Sequence, residues 1–175
     1  MKRDDIASLI VRYFILLIVG LNIDVIYSIF TPITVNVVYF ILNAISGAYL
    51  VQNNSIIFKS IIIELVPACI AGSAYYLLLV LNLSTKMSVR KRAINICFLM
   101  VSFLVLNVIR IVFLSFFYFY TENYFDITHK ALWYMGSTLA VVGVWFLGVW
   151  IFKIKEIPIY GDLSNLARYI KRKNN

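Results

Sequence analysis

Of histidine the chain has one, of cysteine two and of proline three, and only eight of its 175 residues are acidic. Each shortage excludes something. One histidine and sparse carboxylates supply no metal-ligand cluster, because a zinc site needs three or four such groups; no metal or cofactor is implied. Two cysteines build no disulfide framework. In the topology derived below they lie near opposite faces of a bilayer, too far apart to be joined. Charged residues make up 14% of the chain, against about a quarter in ordinary soluble domains. A solvated globular surface is therefore excluded.

What the chain has instead is apolar surface: 62% of its residues are hydrophobic and its mean hydropathy is strongly positive. Several apolar runs reach the roughly 20 residues that cross a ~30 Å hydrocarbon core. The fold class is all-α integral membrane. The formal charge of +8 is not a nucleic-acid footprint, since basic residues collect in the cytoplasmic loops of membrane proteins. No linker, repeat or low-complexity tract divides residues 1–175, which read as one membrane domain with a basic cytoplasmic tail over 153–175. The first apolar run is too long for a signal-peptide core and no small-x-small site follows it, so it reads as a retained span.

In chain order, residues 7–30 form the first span, flanked by Lys2, Arg3 and Arg12, with Asn22 and Asp24 in its outer half, and Thr31-Pro32 breaks it. Residues 33–51 set Asn36, Tyr39, Asn43 and Ser46 on one helical face and Ile33, Val37, Ile41, Ala44 and Ile45 largely on the other. That pattern predicts an extracytoplasmic amphipathic helix lying in the interface or on the protein. A turn at 52–55 leads into the β-branched run 56–66, whose Lys59 and Glu64 sit too near its middle for a span; a strand or hairpin is expected. Further spans cover 67–83, with Pro67 in the first turn, then 93–119, interrupted by Asn107 and Arg110, and 131–152. A polar loop carrying Glu122, Asp126 and His129 joins the last two.

Four spans with the head inside put thirteen of the sixteen Lys and Arg residues on the inner side, leaving Lys59, Arg110 and Lys130 outside. Five spans with the head outside is the alternative. Both place segment 55–66 and loop 121–130 on the outer side of the cell membrane.

This topology brings three reactive groups to one depth. Cys69 begins its span at the outer edge. Arg110 lies seventeen residues beyond Ala93, about 25 Å into a ~30 Å core. His129 stands two residues before the last span. A thiol, a guanidinium and an imidazole suit acyl transfer: a neighbouring imidazole or cation favours the thiolate. His129 would take the thiol proton and return one to the leaving amine. Arg110 would stabilise an oxyanion or the thiolate. Asn107, one turn before Arg110 on the same face, is placed to orient it or to donate to a carbonyl. Singly, each has a plainer reading: a small apolar cysteine, an arginine snorkelling to lipid phosphate, an ordinary loop histidine. Cys97, near the cytoplasmic end of its span, has no such company.

The set Pro-Ala-Cys69-Ile-Ala-Gly, then Asn107-Val-Ile-Arg110 in a later span, then His129 before the last one, resembles the exosortase/archaeosortase family. The similarity runs from about Thr31 to Phe152, including Ile45-Ser-Gly47 and the strand-like 55–66 segment. The chain departs from the family where Ile-Ala-Gly follows the cysteine, and without the extra N-terminal spans of larger members it is similar to the compact subgroups. The resemblance implies a polytopic cysteine transpeptidase or endopeptidase with Cys69 as nucleophile, Arg110 as the oxyanion or substrate-orienting group and His129 as acid/base. It implies, as partners, exported proteins ending in a short motif, a transmembrane helix and a basic cluster, cut on the outer side and passed to an acceptor. The alternatives are a non-catalytic transporter or assembly subunit, and a lipid-modifying enzyme using the same cysteine.

Overall fold

The structure, a computed structural model, describes residues 3–51, 54–120, 125–154 and 158. Gln52, Asn53, residues 121–124 with Glu122, and the basic tail after Ile154 (Pro158 apart) lie outside the described residues, as does the Asp126 side chain. Seven α-helices and a small sheet follow in order: α1 (Arg3–Leu21), α2 (Asp24–Ser46), β1 (Ala48–Val51), β2 (Ser55–Phe58), β3 (Ile61–Glu64), α3 (Pro67–Ile70), α4 (Gly72–Leu83), α5 (Val89–Tyr120), α6 (Phe125–Ala131) and α7 (Ser137–Ile151). A π-helical turn, Leu132–Gly136, joins α6 to α7. Among the described residues three helical stretches, Asp24–Ser46, Val89–Phe119 and Ile127–Ile151, are long and apolar enough to cross a membrane, and Ala7–Leu21 and Pro67–Leu83 are shorter apolar ones. The chain is thus a predominantly helical, membrane-embedded protein with a few strands.

The first helical boundary falls where the sequence did not suggest it. Pro32 lies inside α2, and the break is at Asn22-Ile23. Asn22 satisfies this junction itself: its backbone N–H and its Nδ2 both donate to the Ile18 carbonyl, each at 3.1 Å, and its own carbonyl accepts from Val25 at 3.0 Å. Asp24 then sits in the first turn of α2, where a negative charge meets the positive end of the helix dipole. Pro32 removes one helical donor, yet buried Ile26 on one side and Val35, Val38 and Leu42 on the other hold the helix together across it. No separate helix therefore starts at residue 33. The apolar residues Ile33, Val37 and Ile45 are exposed, while Thr34, Val35, Val38 and Leu42 are buried. Lipid tails are as apolar as leucine, so hydrophobicity alone does not tell a lipid-facing stripe from a packed one.

Beyond α2 the chain turns at Gly47, whose φ of +69° suits glycine. Asn43 closes that end twice, through its carbonyl to Gly47 N–H (3.0 Å) and its Oδ1 to Ala48 N–H (3.2 Å). The expected strand or hairpin is a three-stranded antiparallel sheet in the order β1-β2-β3, with Ala48 opposite Phe58 and Phe58 opposite Ile61. The two-residue turn Lys59-Ser60 has φ of +48° and +68°, the twist a tight hairpin demands. Lys59 pays for its place with its ammonium over the rings of Phe58, Phe116 and Phe119, 4.5 Å from the last.

Two apolar clusters hold the bundle. One joins the second half of α2 to the sheet, α3 and the later part of α5 through Val38, Leu42, Ile56, Phe58, Ile70 and Ile111. The other joins α4, α5 and α7 around Tyr75, Leu78, Leu99, Phe103 and Trp145. Tyr75 stacks on Phe30 at 3.8 Å and meets Phe103 edge-on at 4.9 Å.

At the opposite end from the sheet, α1 lies along α4. Arg12 is buried there: its Nη1 donates to the carbonyls of Leu83 (2.8 Å) and Thr85 (3.4 Å), and Tyr76 Oη donates to the Leu16 carbonyl at 3.0 Å. Arg12 is not a free head cation but a cap for the last carbonyls of α4. Arg92 donates to the same Thr85 carbonyl at 2.9 Å.

Candidate functional site

Cys69, Arg110 and His129 line one cavity of about 350 Å³ at the sheet end of the bundle. The other walls are β3 with Leu65 and Val66, the Ile111, Leu114, Ser115 and Tyr118 side of α5, and Phe125 of α6. The lateral meeting that depth alone could not supply is thus made by packing α3, α5 and α6 around the edge of the sheet.

The thiol is positioned by a broken helix. Val66 is extended, Pro67 opens α3 where its missing N–H costs least, and Cys69 N–H donates to the Val66 carbonyl at 2.8 Å. After only four residues Ala71 adopts a left-handed conformation, φ +59° and ψ +44°. Ala74 and Tyr75 then donate to the Ala71 carbonyl (3.0 and 3.4 Å). In an unbroken helix the carbonyls of Cys69 and Ile70 would have been taken by residues 73 and 74. Here they are released, and α5 supplies substitutes. Asn107 Nδ2 donates to the Cys69 carbonyl at 2.9 Å and to that of Ile70 at 3.3 Å, and Arg110 Nη2 donates to the Cys69 carbonyl at 3.1 Å.

Arg110 is anchored from a second side by Ser137, whose hydroxyl accepts from Nη1. Its buried Nε and the Oδ1 of Asn107 have no partner among the described residues. The guanidinium therefore ties α3, α5 and α7 together and keeps a donor in reserve. Ser137 carries no signal in the sequence, lying inside the last apolar run, 131–152.

His129 is not in a loop. It stands on α6, one turn after Phe125, and the two rings stack at 5.4 Å, the i, i+4 contact a helix allows. The π-helical turn that follows shifts the register between α6 and α7, a distortion that often marks functional sites. Among the described residues no hydrogen bond joins the Cys69 thiol to the imidazole; they share the cavity wall. Both cysteines are free, Cys69 half-buried and Cys97 exposed on the far part of α5.

The structure also brings in groups that sequence reading did not assign. Glu64, Tyr118 and Phe125 line the cavity, and the whole of β3 forms one wall. Hydropathy locates such residues along the chain but does not pair a strand edge with helices far beyond it in sequence.

Comparison of the chain with protein-family models, with curated proteins and with solved structures finds no match.

Proposed function

We propose that the protein is a membrane-embedded cysteine transpeptidase or endopeptidase acting on C-terminal sorting signals of exported proteins. The observation that carries this reading is the convergence of Cys69, Arg110 and His129, from three separate helices, on one cavity. Cys69 is the nucleophile. His129 accepts the thiol proton as Sγ attacks the scissile carbonyl carbon, and the C–N bond breaks as His129 protonates the leaving amine. The acyl group, now a thioester on Cys69, passes to an acceptor amine or to water, whose proton returns to His129. Arg110 lines the cavity beside Cys69, with its Nη2 on the Cys69 carbonyl at 3.1 Å. It is the group available to an oxyanion or a substrate carbonyl. Asn107, with its Nδ2 on two backbone carbonyls, is a positioning residue.

Four membrane crossings fit this reading, with the cavity on the outer side. α1 packs antiparallel to α4, and α2 leads on past Gly72 to the sheet end, where Tyr27 meets Gly72 and Val38 joins the cluster of Ile70 and Ile111. α1 and the start of α2 therefore make one crossing, and the rest of α2 carries the sheet. At 32 residues and about 1.5 Å each, α5 is ~48 Å long, well beyond a ~30 Å core. Its last turns reach out to the aromatic platform under Lys59.

One observation favours a second reading. The hydrogen bonds from Arg110 go to a backbone carbonyl and a serine, which is also what a purely structural cation would do in a small transporter or assembly subunit. A membrane-impermeant thiol reagent separates the two. The enzyme predicts fast labelling of Cys69 from outside, slowed about tenfold or more in His129→Ala, with Cys97 unlabelled. Slow labelling indifferent to His129 would instead favour the structural reading.

A further inference from the structure

Resting on the peptidase reading, we infer that β3 is a docking edge on which an extended peptide binds as a fourth strand, delivering its backbone to Cys69. The sheet ends at β3, which pairs with β2 on one side and with no other strand among the described residues. Six consecutive residues, Ile61 to Val66, line the cavity that holds Cys69.

The register says which backbone groups are open. A two-residue turn is closed by a pair of residues that exchange both hydrogen bonds, here Phe58 and Ile61. Bonded and non-bonded pairs then alternate. Ile63 bonds with Ile56, and the N–H and C=O of Ile62 and Glu64 point away from β2. The Glu64 carbonyl is taken by Val66 N–H at 3.2 Å. Ile62 N–H, Ile62 C=O and Glu64 N–H remain. Such a row is matched by another extended backbone, whose N–H and C=O groups repeat at the same spacing.

The surroundings define the ligand further. Leu114, Tyr118 and Phe125 stand across the cavity, so alternate side chains of the bound peptide are apolar. The strand descends from the Lys59 turn, beside Phe116 and Phe119 on α5, to Leu65 and Cys69 beside Arg110. A peptide paired along it has a carbonyl at the thiol. β1, the other edge, carries exposed Tyr49 and Leu50 and lines no part of the cavity that holds Cys69.

The test uses the full chain in detergent as Cys69→Ala, so that no bond is cut, with a randomised pool of capped octapeptides as probe. Binding is read as slowed amide hydrogen exchange. The 61–66 segment is expected to slow about tenfold while 48–51 does not change. Ile62→Pro removes an edge N–H outside the ladder, on an edge strand where proline is tolerated; it should abolish the protection with the protein still folded by circular dichroism. A second measurement does not depend on that variant. In peptides recovered from the pool, N-methylation should block binding at every second position only. Exchange in 61–66 that ignores the pool, or binding indifferent to which amide is methylated, would overturn the proposal. Protection without any processing by wild type would keep the docking edge and refute the cysteine chemistry alone. Processing with no protection would do the reverse.

Discussion

Arg110 Nη2 donates to the main-chain carbonyl of Cys69 at 3.1 Å, so the guanidinium grips the backbone of the candidate nucleophile, not only the space in front of it. The carbonyl is open to it because the left-handed Ala71 interrupts the helix two residues later. A helix break, a released carbonyl and two donors from α5 form one unit.

Arg110→Lys tests that unit. An ammonium keeps the charge but not the fork that reaches the Cys69 carbonyl and Ser137 together. We expect processing to fall about a hundredfold. Loss of one charge-assisted hydrogen bond should also lower stability by about 1.5–3 kcal/mol. Activity and the thermal midpoint of the detergent-solubilised protein are the readouts. A fully active Arg110→Lys would remove the guanidinium from the mechanism.

Asn107→Leu keeps the volume and deletes the donors, leaving the Ile70 carbonyl without its side-chain donor and the Cys69 carbonyl with Arg110 alone. A loss of about 1–3 kcal/mol is expected, together with slower thiol labelling as Cys69 loses its fixed position. Wild-type stability in this variant would mean that the released carbonyls find other donors.

The break itself can be tuned. Ala71→Gly removes the left-handed strain on a residue with a Cβ and should raise stability by about 1 kcal/mol. Next door, a Cβ on Gly72 would come within 2.6 to 3.0 Å of three atoms of the Tyr27 ring. Gly72→Ala should therefore lower stability by about 1–3 kcal/mol by pushing α2 off the α3–α4 junction. Thermal midpoints moving in opposite directions for these neighbours would verify the geometry of the break.

That Cys69, Arg110 and His129 belong to one end of the bundle was legible in the sequence, because the rise per residue of a helix is a fixed quantity. Their lateral meeting was not, since it depends on how α3, α5 and α6 pack around the sheet. A helical run followed by strand-like residues was also readable, but the run was carried over 33–51, whereas α2 ends at Ser46 and residues 48–51 form β1. The start of α2 was misplaced because proline is the loudest local breaker, whereas the Asn22-Ile23 junction is set by hydrogen bonds to Ile18 that composition does not reveal. The packed face of α2 was not readable for a different reason: its exposed residues Ile33, Val37 and Ile45 are as apolar as its core. The pairing of Asn107 with two carbonyls could be guessed only as a donor in search of an acceptor. That acceptor was created by the backbone of Ala71.

Cleavage tests the cysteine mechanism most directly. A substrate with a C-terminal motif, a transmembrane helix and a basic cluster would be co-expressed with wild type or with Cys69→Ser, and its mass followed. Cleavage by wild type and none by Cys69→Ser at equal protein level is the predicted result. Equal cleavage with both would contradict the cysteine mechanism.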